Sequence, residues 1–185
     1  MECVSMINKA IQYAVTAHAG QLRKGTTTPF ILHPLEVGVI VSTLTSDEEI
    51  ISAAILHDTV EDCPHVSVED IRREFGDRVA SMVDCESEDK SKSWLERKAH
   101  TIHYLKEEAS KEVTYIAMGD KLANIRSLVR DYNQVGEELW NRFNMKDPKM
   151  QGWYYRSMID SLSSLEGYTA YEEYVELVNR LFKAK

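Results

Sequence analysis

In the run Ala53-Ala54-Ile55-Leu56-His57-Asp58-Thr59-Val60-Glu61-Asp62, an apolar stretch leads into four side chains that bind metals and move protons. At 3.6 residues per turn, His57 shares a helix face with Glu61, and Asp58 with Asp62. The apolar residues just ahead predict that this helix end meets the core. Imidazole and carboxylates packed there are costly unless paired or metal-bound. Carboxylates also oppose the dipole of a helix C-terminus, which again asks for a cation. A metal site gathers about four ligands, usually from several elements. Three segments offer them: His33 at the end of a loop, the His57-Asp58 pair, and Asp120 within Ala117–Arg126. Two imidazoles and two carboxylates without a thiolate suit Mn²⁺, Fe²⁺ or Zn²⁺. Adjacent residues diverge by about 100° on an ideal helix. His57 and Asp58 can therefore reach one ion only where the helix end is frayed or distorted.

The elements that must position these residues read as helical nearly throughout. Ile7, Ala10, Ile11, Ala14 and Val15 follow one helical face. Gly20 to His33 reads as a loop, with Gly25, a Thr26-Thr27-Thr28 run and Pro29. Pro34 suits the first turn of the next helix, with Leu35, Val37, Val41 and Leu44 on its apolar face. Ser46 with Glu49 predicts a capping box ahead of the helix bearing His57, and Ser93 with Glu96 repeats that pattern. Ser67 with Asp70 opens a short helix that Gly76 would close. A helix from Val113 to about Tyr132 carries Ile116, Leu122, Ile125 and Val129 on its core side. Two more helical segments follow Pro148, centred near Ile159 and Val175. The polar run Glu86–Lys92 reads as a loop. With no strand pair, repeat or low-complexity linker, the expectation is an all-α, compact helical bundle.

At 185 residues the chain can bury one good core and is short for two domains, so residues 1–185 are expected to form a single domain. The formal net charge of -8 argues against a nucleic-acid partner. It leaves room for a small phosphorylated substrate in a local cationic pocket. Cys3, Cys63 and Cys85 are odd in number and form no CxxC pair, which argues against a disulfide framework or zinc ribbon. No apolar run approaches a membrane span, and the first residues lack a signal-peptide layout, so a cytoplasmic location is expected.

The order His33, His57-Asp58, Asp120 resembles the H…HD…D signature of the HD-domain metal phosphohydrolases. The surroundings narrow the likeness. Gly25–Pro34 is similar to the GxPYxxHP element of RelA/SpoT-type alarmone hydrolases. Leu56–Asp62 is similar to their LLHDxxED element, and Gly119–Arg126 to their ADKxxNxR element. The resemblance covers roughly residues 5 to 165 and points to the small hydrolases of that group, including the animal SpoT homologue.

It implies an HD-domain helical bundle that removes the 3′-pyrophosphate of guanosine tetra- or pentaphosphate with Mn²⁺. By matching positions, His33, His57, Asp58 and Asp120 hold the metal, while Glu61 and Asp62 handle the attacking water. Arg23, Lys24, Lys90, Lys121, Asn124 and Tyr154 are then the expected contacts to a guanine nucleotide, with Lys92 beside Lys90 in the same loop. Arg126 reads as a helix anchor. His18, His65, His100 and His103 read as structural, and Trp140, Phe143 and Trp153 as packing. Three positions depart from the pattern. Gly119 replaces the usual Ala, Phe30 the usual Tyr, and Trp94 falls where animal relatives place a phosphate-binding Lys. The rival readings are a phosphohydrolase of another nucleotide, such as one removing the 2′-phosphate of NADPH, and a non-catalytic nucleotide sensor.

Overall fold

The computed structural model describes residues 5–85 and 91–183. Lys90 and the polar run before it, residues 86–89, lie outside the described residues. The helices are α1 Met6–Ala17, α2 Leu32–Ser42, α3 Glu48–Leu56, α4 Thr59–Asp62, α5 Val68–Phe75, α6 Asp77–Cys85, α7 Trp94–Glu107, α8 Lys111–Val135, α9 Pro148–Ser161 and α10 Thr169–Leu181. Short 3-10 segments cover Gly136–Arg142 and Ser163–Leu165. The fold is all-α. Among the described residues, extended pairing is limited to one antiparallel bridge, Leu22 to Pro29, which pins the base of the loop after α1.

Local chemistry explains most helix ends. Of the two predicted capping boxes, Ser93–Glu96 forms and Ser46–Glu49 does not; a box also forms at Ser67–Asp70, where a helix start was expected. Gly76 closes α5 at φ 90°, a left-handed conformation that glycine adopts at low cost. The cap of α3 is Asp47 rather than Ser46, because the Asp47 carboxylate accepts from Glu49 N at 2.9 Å. Pro148 opens α9, so the midpoint of that helix falls near Tyr155 rather than Ile159. Val15 is 47% exposed, not buried. The inward face of α1 is instead the small-residue series Ala10, Ala14 and Ala17, which lets α1 lie close on α3.

Every residue of α3 from Ile50 to Leu56 is buried, as expected of a helix without a polar face. α2 lies between α3 and α8, and two glycines set those distances. A Cβ on Gly38 would stand 2.5 Å from Ile55 Cγ1 of α3. A Cβ on Gly119 would stand 2.7 Å from Val41 Cγ2 and 3.1 Å from the Val37 carbonyl of α2. Gly119 thus departs from alanine because bulky Val37 and Val41 press against it. Since α2 carries His33 and α8 carries Asp120, this contact also sets the width of the site.

Alanine at 119 would gain about 1 kcal/mol in helix propensity. Overpacking costs about 1–3 kcal/mol, and backbone on the far side cannot yield cheaply. Gly119→Ala is therefore expected to lower unfolding stability by up to about 2 kcal/mol in urea titrations, with Val41→Ala in the same chain costing less than it does in the parent. A single variant as stable as the parent would remove this account of the α2–α8 spacing.

Candidate metal centre

α3 stops at Leu56, and α4 starts afresh at Thr59. The break falls at His57-Asp58, which meets the demand for a distorted helix end. It also corrects the dipole expectation: Glu61 and Asp62 stand in a separate one-turn helix, not at the C-terminus of α3. Thr59 Oγ1 donates to the Leu56 carbonyl at 2.6 Å and secures the break.

His57 Nδ1 lies 2.8 Å from the Ala54 carbonyl. A carbonyl only accepts, so Nδ1 carries the proton and Nε2 is left to face the cavity. His57 Nε2 is buried without a hydrogen-bond partner. Four donor atoms converge there. His57 Nε2 is 3.1 Å from Asp58 Oδ2 and 3.8 Å from Asp120 Oδ1. His33 Nε2 is 3.4 Å from Asp58 Oδ2 and 3.2 Å from Asp120 Oδ1. Donor atoms of His33, His57 and Asp58 all lie within 4.8 Å of one another. Ligands each about 2.1 Å from one cation lie about 3.0–4.2 Å apart, which the four separations of 3.1 to 3.8 Å meet. An orphaned imidazole nitrogen between carboxylates fits a divalent metal.

A second layer holds these groups in place. Lys121 Nζ donates to Asp120 Oδ2 at 2.5 Å, and Asn124 Nδ2 to Asp120 Oδ1 at 2.6 Å. Arg23 Nη2 reaches Asn124 Oδ1 at 3.0 Å, with its guanidinium 5.7 Å from the Phe30 ring centre. Phe30 meets His33 edge-on at 5.8 Å.

Burial pushes the His57 imidazole down, but the Asp58 and Asp120 carboxylates outweigh it and hold His57 well above its ordinary value. Burial likewise raises Asp58 and Asp120. His57 and His33 overcome this for Asp58, and Lys121 with the imidazoles for Asp120, so both stay below the usual carboxylate range. The metal-free fold thus keeps a proton on His57 that the unfolded chain releases near pH 6.5. That stabilisation is complete below pH 6.5 and fades as pH rises through the elevated value. The depressed carboxylates lose theirs only in acid. A bound metal must displace the imidazole proton. The rise in Tm on adding Mn²⁺ is therefore expected to grow from pH 6.5 upward in paired thermal scans. An increment independent of pH would show that no proton leaves.

The cluster opens into a cavity of about 230 Å³ that also takes in Glu61, Asp62, Lys98, Lys121, Asn124 and Arg23. A second cavity of about 170 Å³ continues from it, sharing Arg23, Phe30 and Asn124. Lys24, Arg142 and Tyr155 line this second part. Lys24 Nζ contacts Asn144 Oδ1 at 3.3 Å.

Tyr154, an expected nucleotide contact, lines neither of these two cavities. It is buried against Trp94, with Lys98 Nζ 4.9 Å from its ring centre. Neighbouring helix residues point about 100° apart, and Tyr155 takes the cavity side. Lys92 lines neither cavity. Trp94 packs on Trp153 and Tyr154, and Lys98, one turn further along α7, reaches the metal cavity. The Ser93–Glu96 box sets the phase of α7 and was the available signal for Lys98. Arg142 and Tyr155 had no such signal. Arg126 binds Glu173 of α10 at 2.6 Å and Glu36 of α2 at 3.2 Å, as a helix anchor should.

Residues 10–147 match the HD domain family. The chain belongs to that family. Among relatives of this HD domain protein, a guanosine-3′,5′-bis(diphosphate) 3′-pyrophosphohydrolase of Xenopus tropicalis is 35% identical over 129 residues, covering 68% of this chain and 71% of the relative. A GTP pyrophosphokinase of Streptomyces coelicolor is 38% identical over 125 residues. The chain spans between 14% and 16% of the length of such long relatives. Among solved structures, a metazoan SpoT orthologue that hydrolyses ppGpp superposes with a TM-score of 0.77 at 28% identity, covering 97% of both chains. A Listeria monocytogenes protein superposes with a TM-score of 0.74 at 34% identity, covering 82% of this chain and 99% of that one. No helix among the described residues is long and apolar enough to cross a membrane.

Proposed function

We propose that this chain acts in the cytoplasm as one HD-type unit over residues 1–185 and hydrolyses the 3′-pyrophosphate of guanosine tetra- or pentaphosphate. Mn²⁺ is the proposed working metal, held by His33, His57, Asp58 and Asp120, with Fe²⁺ or Zn²⁺ as substitutes. The observation that carries the reading is the meeting of this donor set with Glu61 and Asp62 in one cavity. Small relatives named for that activity support it.

The cavity presents four carboxylates against Arg23, Lys98 and Lys121. With the His57 proton these charges nearly cancel, and a divalent cation that displaces the proton would leave the cavity positive toward a polyphosphate. When bound, that cation acidifies water and offsets charge on a phosphoryl oxygen. Glu61 takes the water proton, and Asp62 beside it orients the water. The water oxygen bonds to the phosphorus on O3′, the P–O3′ bond breaks, and the proton taken by Glu61 passes on to the leaving 3′-oxygen through solvent. The products are GDP or GTP and pyrophosphate. Arg23, Lys98 and Lys121 face the phosphates, while Asn124 and Lys24 meet the nucleoside in the adjoining cavity.

Purified protein with Mn²⁺ is expected to convert guanosine tetraphosphate to GDP and pyrophosphate, and to stop on chelation. A panel with NADPH and nucleoside monophosphates discriminates the rivals. Phosphate release from NADPH without pyrophosphate release from the alarmone would reassign the substrate. Tight binding with intact nucleotide would make the protein a sensor.

A further inference from the structure

Gln21 lies outside both cavities, yet its side chain is held at both ends. Its Oε1 is 2.8 Å from His18 Nδ1, and its Nε2 donates to the backbone carbonyl of Asp62 at 2.9 Å. The carbonyl accepts only, so the amide nitrogen must face Asp62 and the amide oxygen must face His18. His18 Nδ1 therefore carries the ring proton, with Cys63 Sγ at 3.4 Å as a weak second neighbour. His18 is 2% exposed, and its Nε2 is buried without a hydrogen-bond partner. The ring is thus committed through Nδ1, and Phe30 packs on it at a tilt with ring centres 4.8 Å apart.

The carbonyl that Gln21 holds ends a helix of a single turn. Such a turn does not sustain itself. Its closing backbone bonds are Asp62 N to Asp58 O at 2.9 Å and Cys63 N to Thr59 O at 3.1 Å. The Asp62 carbonyl is one of the acceptors that every helix end leaves over, and Gln21, 41 positions earlier, meets it. The backbone of Gln21 is itself pinned, donating to His18 O at 3.0 Å and accepting from Phe30 N at 2.9 Å. Two residues on, Arg23 reaches Asn124 and through it Asp120. One loop therefore touches both acidic elements of the site.

We propose that His18 and Gln21 are positioning residues for the Glu61–Asp62 turn. His18 Nδ1–H sets the Gln21 amide, and the amide sets the Asp62 carbonyl and with it the placement of both carboxylates over the metal cluster. The inference rests on the water-handling role assigned above to those carboxylates.

Gln21→Glu keeps the acceptor toward His18 and puts a carboxylate oxygen against the Asp62 carbonyl. Gln21→Leu removes both bonds. Misplacement by about 1 Å can cost about 10²-fold in rate, so each variant is expected to lose about 10²-fold in kcat with KM within about threefold and bound Mn²⁺ unchanged. His18→Asn places an amide N–H where Nδ1–H stood and retains kcat within about threefold, whereas His18→Leu falls like Gln21→Leu. Hydrogen exchange without substrate gives a second readout. The Asp62 and Cys63 amides exchange faster in both Gln21 variants, while α8 amides keep their protection. Normal kcat in Gln21→Glu beside an active parent, unchanged exchange, or a joint loss of kcat, metal and α8 protection would each overturn the proposal. A parent inactive on guanosine tetraphosphate, with exchange responding as expected, would instead sink the hydrolase reading and leave the positioning device standing.

Discussion

Asp120→Asn is expected to empty the metal cluster and lower kcat by at least about 10³-fold. Asparagine keeps the shape and one oxygen, so the variant tests charge rather than packing. Asp120 answers to four partners at once: both imidazoles, Lys121 and Asn124. Neutralising it removes a metal donor and also the carboxylate that the buried Lys121 ammonium faces at 2.5 Å. Breaking one side of a buried pair costs about 3–5 kcal/mol, so the metal-free variant is expected to unfold at clearly lower urea. Elemental analysis, turnover and urea titration read the three effects separately. A full equivalent of bound metal in the variant would strike Asp120 from the set.

Glu61→Gln is expected to lower kcat by about 10²–10⁴-fold, the usual worth of a general base. At 1.36 kcal/mol per decade this is about 3–5 kcal/mol of transition-state stabilisation. Metal content and Tm are expected to hold, because Glu61 lies on the rim turn α4 and not among the converging donors. Asp62→Asn should cost less, since Asp62 is the more exposed of the two and orients rather than takes the proton. At saturating Mn²⁺ the acid limb of the pH–rate profile should flatten in the Glu61 variant and persist in the Asp62 variant. The reverse pattern would exchange their roles, and two normal variants would remove the pair from the mechanism.

Much of this was legible in residue order because the signals are short-range. Ser67, Gly76 and Ser93 act on backbone groups within one turn of themselves, so their effects show in sequence. The capping of α3 slipped by one residue because Ser46 and Asp47 are both good caps, and only the chain's approach to the helix chooses between them. The substrate side depends on packing between helices. Tyr154 and Tyr155 are adjacent and chemically alike, and their division between core and cavity depends on how α9 is rotated against α7.

Donor chemistry was present in the sequence alone: two imidazoles and two carboxylates, without a thiolate, beside a further acidic pair. Residue order also foretold that an intact helix could not aim His57 and Asp58 at one point. Only the tertiary structure decided how that conflict is resolved, with α3 ending at Leu56 and α4 starting at Thr59. It also decided that Gly38 and Gly119 bring α3, α2 and α8 close enough for His57, His33 and Asp120 to converge. Spacing within a helix is set by bonds a few residues apart, whereas the distance between helices depends on which side chains meet across the core.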